Sequence, residues 1–257
     1  MKRTVTVIAE LGSNPSAYAV AGCATVGNWD FESFCRAASE AGATHVKIQL
    51  WKTESFPPSE QTAKLPLEFP RALLPEFVAQ AHRRGLKAGA SVFDVEAVNM
   101  AAAQCDFLKL AAREQNNTAL IDTCVYGGRG LPVYRSISEP ESYARYVSIG
   151  EDGDGGREFV TLYAVPRYPA SMVRSLIALL AWRLFVYSLE EDGPVEWGWS
   201  SHSNSGLDCV LAARLGASVI EKHLSLSKSD SEGAHSLLPD EFGRMVSQIR
   251  RISNATR

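Results

Sequence analysis

Short, almost unbroken apolar runs punctuate the chain at 5–11, 45–50, 87–92, 107–110, 132–135, 159–163, 196–200 and 219–222. Runs of this length, lacking the in–out alternation of a half-exposed strand, predict parallel strands buried on both faces. Between them, at 30–41, 75–84, 95–103 and 207–215, apolar residues return at helical spacing. Gly42, Gly85 and Gly216 close three of these segments, where a C-capping glycine is favoured. The longest apolar stretch, 172–189, contains Arg174 and Arg183, both costly in hydrocarbon, and predicts an amphipathic helix lying on the sheet. Eight strands alternating with helices predict an α/β fold, a single-domain (β/α)₈ TIM barrel over 1–257. An open doubly wound sheet is disfavoured, because no GxGxxG turn follows the first strand.

Composition narrows the picture without changing it. A chain of 257 residues, 46% apolar and 21% charged, fits one barrel of about 250 residues. A net charge of −3 and the lack of any Lys/Arg run exclude an electrostatic case for nucleic acid. The first apolar run is too short for a signal-peptide core, and no membrane span is expected, so a cytoplasmic protein is expected. Five cysteines, an odd number without CxxC spacing, are expected as reduced thiols. Two long segments, 13–29 and 53–69, follow the first and second strands, where substrate lids would sit. Asp152-Gly153-Asp154-Gly155-Gly156 precedes the sixth strand, on the opposite face; a calcium loop there is disfavoured.

Residues able to do chemistry gather at the ends of the predicted strands. His202 and His223 close the last two, and neutral imidazoles on adjacent strands can meet one metal ion. The alternative, two polar strand-end residues bonded to backbone, stays open; Glu221 could orient one of the rings. Lys47 and Lys109 lie inside buried strands, which is costly unless they are paired or face a polar cavity. Together they suggest a phosphate or carboxylate site, although Lys109 could instead pair with Asp106 or Glu114. Lys222 is ambiguous, because successive residues of a strand point to opposite faces. Glu10 ends the first strand and is expected to act as a general acid or base with a raised pKa, or else to pair with a strand lysine. Ser91, Ser136 and Ser200 occupy matching strand ends and could donate to phosphate oxygens. His45 is expected to be structural, His82 to sit on a solvated helix end, and His235 to touch substrate. Trp197 and Trp199 are expected in the core, and no Ser-His-Asp motif or P-loop is present.

These residues fall in five ordered motifs: Ile8-Ala9-Glu10-Leu11-Gly12-Ser13-Asn14, Val46-Lys47-Ile48-Gln49, Leu108-Lys109-Leu110-Ala111, Ser200-Ser201-His202-Ser203 and Ile220-Glu221-Lys222-His223. Together they resemble the N-acetylneuraminate (sialic acid) synthase family, with its pseudaminic and legionaminic acid synthases and spore-coat polysaccharide relatives. The resemblance implies a barrel that condenses phosphoenolpyruvate with an amino-sugar aldehyde to a 2-keto acid, releasing phosphate. By that resemblance His202 and His223 would hold a divalent metal, Mn²⁺ first and Mg²⁺ or Co²⁺ as alternatives. Lys47, Ser91, Lys109, Ser136 and Ser200 would bind phosphoenolpyruvate, with Glu10, Lys47 and Lys109 catalytic. Glu114 and Asn117 would contact the acceptor aldehyde, and Arg167, Glu232 and His235 are expected to line its pocket with the two long segments. A homo-oligomer, a dimer, is implied.

The chain also departs from the motifs of that family. Its Asn-His is Asn14-Pro15 here, its Ser-Asp-His is Ser200-Ser201-His202, a phosphate-binding serine is Ala112, and an asparagine is Pro166. The acidic residue opening the loop after the last strand aligns with Glu232. The chain ends at Arg257, where many synthases continue into a small antifreeze-like domain. The expectation is a retained metal and phosphoenolpyruvate site with a rebuilt acceptor side. The alternatives are other metal-assisted aldolase, lyase or phosphatase chemistry, or a barrel that has lost catalysis and only binds.

Overall fold

The structure, a computed structural model, describes residues 4–13, 29–144, 159–190 and 195–255. Most of the 13–29 segment, the Asn14-Pro15 departure, Cys23 and the Asp152–Gly156 stretch lie outside them. Eight strands close a parallel barrel in sequence order: β1 (Thr6–Glu10), β2 (His45–Leu50), β3 (Lys87–Val92), β4 (Phe107–Leu110), β5 (Val133–Ile137), β6 (Phe159–Ala164), β7 (Trp197–Ser201) and β8 (Val219–His223). β8 pairs back onto β1, with Glu10 opposite His223. The expected barrel is therefore observed, with strand ends shifted by a residue or two. Around it run α1 (Phe31–Glu40), α2 (Pro58–Lys64), α3 (Leu74–Arg83), α4 (Val95–Gln104), α5 (Thr118–Gly127), α6 (Glu141–Ala144), α7 (Met172–Ser188), α8 (Leu207–Arg214) and α9 (Pro239–Ala255).

Local chemistry sets the helix ends. Asp30, Asp94, Asn117 and Ser171 each accept a backbone N–H of the first turn, capping α1, α4, α5 and α7. Gly42, Gly85 and Gly216 take positive φ (83°, 71° and 101°) past α1, α3 and α8, as their positions predict. The 53–69 segment is not an open loop. Pro58 opens α2 at the first helical position, where its missing N–H costs nothing, and short 3₁₀ turns flank it.

Two faces of each strand do different work. Outward residues such as Val7, Ala9, Val46 and Ile48 are fully buried under the helices. Inward residues fill the barrel floor with a separate apolar plug of Ile8, Phe107, Tyr134, Val160, Leu162 and Val219. Gly89 makes room for it, because a Cβ there would sit 2.3 Å from the Phe107 ring. His45 packs against Phe107 and Tyr134 at this floor, where burial pushes its pKa down to about 4, in keeping with a structural role. Above the plug, the next inward positions are polar.

α7 differs from the amphipathic expectation. Leu179, Trp182 and Val186 pack on the barrel, but Val173, Ile177, Leu180, Leu184 and Tyr187 on the opposite side are exposed. Among the described residues no helix is long and apolar enough to cross a membrane.

Candidate active site

Period-two alternation carries each strand's inward face from the apolar plug to a polar layer at its C-terminal end, where barrel active sites are built. That layer consists of Glu10, Lys47, Ser91, Lys109, Ser136, Ser200 and Glu221, all buried. Lys47 ion-pairs with Glu10 and donates to Ser91 Oγ at 2.7 Å. Lys109 donates to Ser136 Oγ at 2.8 Å. Both ammonium groups turn toward one carboxylate oxygen, Glu221 Oε2, at 3.8 Å from Lys47 and 3.6 Å from Lys109. Glu221 Oε1 accepts from Ser200 Oγ at 2.8 Å. Charges this deep are tolerable only when matched, and here two lysines face two carboxylates.

The electrostatics follow from that matching. Burial lowers the Lys47 pKa to about 8, helped by the like charge of Lys109 and opposed by Glu221. Burial also lowers the Lys109 pKa, again opposed by Glu221. For Glu221, burial would raise the carboxyl, but Lys109, Lys47 and the Ser200 hydroxyl hold it down to about 2. Glu221 therefore belongs to the lysine layer and does not orient an imidazole, as its sequence position had suggested. Glu10 adopts the ion-paired alternative with Lys47, and its second oxygen accepts from Gly12 N at 2.7 Å. Lys109 pairs with neither Asp106 nor Glu114; Asp106 holds His82 at 2.7 Å and Lys87 at 3.3 Å instead.

A second cluster sits one step higher, over β7, β8 and the loop after β8. His202 Nδ1 donates to the Val165 carbonyl at 2.8 Å, which leaves Nε2 as its open nitrogen. His223 Nδ1 meets Glu232 Oε2 at 2.7 Å. Burial depresses both imidazoles, His202 to about 3 with a further push from His223, so both are neutral near pH 7. His235 stands beside them, its ring 4.6 Å from that of His223, and its buried Nε2 has no hydrogen-bond partner. Tyr168 covers the group, 4.1 Å from the His202 ring and 5.1 Å from that of His235. Burial would raise the Glu232 carboxyl, but His223 holds it well below the usual range. One ligand atom from each of His223, Glu232 and His235 lies within 4.8 Å of the others.

Gly12 lets these parts meet. Its φ of 64° favours glycine, and a Cβ there would lie 1.7 Å from Glu232 Oε2. Glu232 thereby reaches the end of β1 and accepts from Ser13 N at 2.8 Å.

Behind this cluster lies a third buried network on the outward face of β7 and β8. Lys222 is fully buried and donates to Ser201 Oγ at 3.3 Å, to the Ser203 carbonyl and to the His235 carbonyl at 3.0 Å. Asp208, at the start of α8, accepts from Trp199 Nε1 at 3.0 Å, Ser201 Oγ at 2.8 Å and Ser203 Oγ at 3.0 Å. The acid that the resemblance places at 201 is thus supplied from 208. Lys222 in turn ties down the loop that carries His235.

One cavity of about 560 Å³ takes in the lysine layer and the imidazole cluster. Glu10, Lys47, Ser91, Lys109, Ser136, Ser200, His202, His223, Glu232 and His235 all line it. Glu114, Asn117 and Arg167 do not. Glu114 binds Arg113 and the Asn117 amide, Asn117 caps α5 through Leu120 N, and Arg167 is exposed. The neighbour Tyr168 takes the place expected of Arg167. Gln49 and Ser138 also line the wall, each two residues beyond a nominated one, so the period-two rule could have found them. Phe56, Lys64 and Leu67 enter from the 53–69 segment, and Ala112 and Pro166 stand at the wall.

A closed parallel barrel with matched cations, carboxylates and imidazoles in one cavity at its strand ends belongs to the enzyme-bearing (β/α)₈ class. The NeuB family model matches residues 34–257, and the chain belongs to the NeuB family, as its motifs imply. Pseudaminic acid synthase of Campylobacter jejuni is 26% identical over 251 residues, covering 86% of this chain and 68% of that protein. In fold, the chain matches the N-acetylneuraminic acid (sialic acid) synthetase of Leptospira borgpetersenii, solved with citrate, at a TM-score of 0.84 and 23% identity. That match covers 99% of this chain and 86% of the other. A spore coat polysaccharide biosynthesis protein of Bacillus subtilis gives 0.78 at 22% identity, covering 98% and 69%.

Proposed function

We propose that this barrel condenses phosphoenolpyruvate with an aldehyde acceptor, a sugar or sugar-like compound, to a 2-keto-3-deoxy acid with release of phosphate. The observation that carries the reading is the convergence of Lys47 and Lys109, each backed by a serine, directly below two imidazoles with tethered Nδ1 atoms. The family membership and the pseudaminic acid synthase relatives support it.

Phosphoenolpyruvate would place its carboxylate and phosphate against Lys47, Lys109, Ser91, Ser136 and Ser200, as charge-assisted donors. Its C3 bonds to the aldehyde carbon, whose oxygen takes up a proton. Water adds at C2, and the bond from C2 to the phosphate oxygen breaks, giving the keto acid and inorganic phosphate. Glu10 stands at the layer's edge to accept the proton of that water. Tyr168 and the buried wall exclude bulk water from the cationic intermediate.

The residues fit a divalent metal. His202 and His223 each bind a fixed acceptor through Nδ1, the arrangement that presents the other nitrogen to an ion. His235 adds a buried Nε2, 3.7 Å from Glu232 Oε2, and Glu232 a carboxylate. His202 and His223 would hold the ion, Mn²⁺ by the resemblance, with Glu232 and His235 beside it. A bound ion would supply Lewis-acid polarisation of the aldehyde oxygen.

The acceptor would lie above this layer, against Phe56, Lys64, Leu67 and Tyr168. The test is phosphate release from phosphoenolpyruvate across a panel of aldoses and N-acyl hexosamines, with and without Mn²⁺. Acceptor-dependent release stimulated by the ion is expected, with an acceptor other than N-acetylmannosamine preferred. Binding of phosphoenolpyruvate without release on any acceptor would instead favour a barrel that only binds, to which the cavity-wall residues Ala112 and Pro166 point.

A further inference from the structure

We propose that the acceptor carries an anionic group, a carboxylate or a phosphate, at the end remote from its aldehyde, and that Lys64 and Arg113 bind it. The inference rests on the condensation reading and names the substrate class of that same site. Its basis is a difference in charge between two levels of the cavity wall. Deep in the barrel, Lys47 and Lys109 face Glu10 and Glu221, and His223 is held by Glu232. Nearer the mouth the wall carries two more cations, Lys64 and Arg113. The acids that line the cavity are Glu10, Glu221 and Glu232, each already matched to a lysine or an imidazole.

Both cations are set on one aromatic shelf. Lys64 Nζ lies over the Phe56 ring, 4.9 Å from its centroid, and the Arg113 guanidinium lies over the same ring at 4.7 Å. Arg113 also lies over Phe93 at 4.3 Å. Its Nε donates to Glu114 Oε1 and its Nη2 to Ser55 Oγ, each at 3.3 Å. Glu114, expected to touch the acceptor, thus acts through Arg113, and it offsets only one of the two charges. One cation satisfies the face of a ring; a second crowds a like charge well within a Debye length of about 10 Å. An anion between them relieves that repulsion and gains charge-assisted bonds from donors already held in place.

Topology places the shelf at the right end of the acceptor. Lys64 comes from the segment after β2 and Arg113 from the turn after β4, whereas His202 and His223 come from the ends of β7 and β8. β2 and β4 flank β3, which stands opposite β7 in the closed ring of eight strands. An acceptor with its aldehyde at the imidazoles therefore sends its far end across the mouth toward Lys64 and Arg113. The two anions are then kept apart, phosphoenolpyruvate on the strand lysines and the acceptor's charge on the loop cations.

Titration calorimetry tests this on the full chain with Mn²⁺ and saturating phosphoenolpyruvate, using a hexitol, a hexitol phosphate and a hexonate, which lack the aldehyde and cannot react. A charged ligand is expected to bind roughly 10- to 100-fold tighter than the hexitol, and the tighter of the two identifies phosphate or carboxylate. Lys64→Met and Arg113→Met should each remove about tenfold of that preference, with affinity for phosphoenolpyruvate unchanged. Lys64→Arg, which keeps the charge, should keep most of it. In turnover, Lys64→Met should raise KM for a charged aldose by a similar factor, with little change in kcat. Equal affinity for charged and neutral ligands would overturn the proposal. So would variants that weaken both alike, which would leave the two cations as a clasp for the 53–69 segment. Discrimination that the variants lose, with no phosphate release from any acceptor, would uphold the anion subsite and overturn the condensation reading instead.

Discussion

The two halves of the cavity are built on different principles. In the lysine layer every functional side chain grows from a strand, and each charge already faces an opposite one: Lys47 meets Glu10, and both lysines meet Glu221. In the imidazole cluster the partners come largely from loops: the Val165 carbonyl, Glu232, His235 and Tyr168. In that half His235 Nε2 is buried and lies 3.7 Å from Glu232 Oε2, its nearest acceptor. The strand-borne half is held by its own ion pairs and serine hydroxyls. The loop-borne half gathers neutral imidazoles and one carboxylate, donors of the kind that the proposed metal would use.

Removing a ligand should strike the loop-borne half hardest. His223→Ala is expected to lose tight Mn²⁺ retention and to reduce turnover by about 10³-fold, the equivalent of several kcal/mol of transition-state stabilisation. Metal analysis and phosphate release, with circular dichroism to confirm the fold, would check this. Turnover that persists after chelation would end the metal assignment. Lys109→Met is next, with an expected loss of roughly 10²–10³-fold in kcat/KM for phosphoenolpyruvate and little change in acceptor KM. Lys47 is then left to face both Glu10 and Glu221, so some loss of stability is expected too, and thermal denaturation should confirm a folded variant before the kinetics are read. An equal effect on both substrates would mean that the layer is not the phosphoenolpyruvate site.

Glu232→Gln sharpens the comparison, because it keeps the shape of the tether on His223 and removes its charge. Metal affinity is expected to fall about 10–100-fold by titration calorimetry, with the lysine layer's affinity for phosphoenolpyruvate unchanged. The smallest effect is that of pH. Lys47 titrates at about 8 because burial disfavours its charge. It is charged below that value and neutral above it, so kcat/KM for phosphoenolpyruvate should decline as pH rises through about 8, by up to roughly tenfold per unit. A profile flat from 7 to 9.5 would remove Lys47 from anion binding.

The same contrast explains what could be read from the sequence. Strand-borne chemistry was legible, because alternation within an apolar run fixes which residues face inward: Glu10, Lys47, Lys109, Ser136 and Ser200 all line the cavity. What closes the ring was not. Glu221 meets the lysines only because β8 returns to β1 in three dimensions, and no local pattern announces that. Loop residues fared worse. Asn117 sits just before a helix and caps it, and Arg167 lies one residue from Tyr168, which turns into the cavity in its place. The outer face of α7 escaped notice for a different reason. A helix apolar on every side shows no periodic contrast from which a second, uncovered face could be recognised.

The exchange around Lys222 has a consequence for how such chains vary. Asp208 holds Ser201, Ser203 and Trp199 from the start of α8, and so stands in for an acid at 201. A chain with one of these acids can keep a buried ammonium in balance. With both, two carboxylates would crowd one lysine; with neither, Lys222 would lie uncompensated. The two positions should therefore be coupled: Ser201→Asp is expected to be better tolerated in an Asp208→Ser background than beside Asp208, as a double-mutant cycle of thermal stability would show. A serine in the middle of the Ser-x-His motif is then compatible with a compensated Lys222, because Asp208 lies seven residues further on.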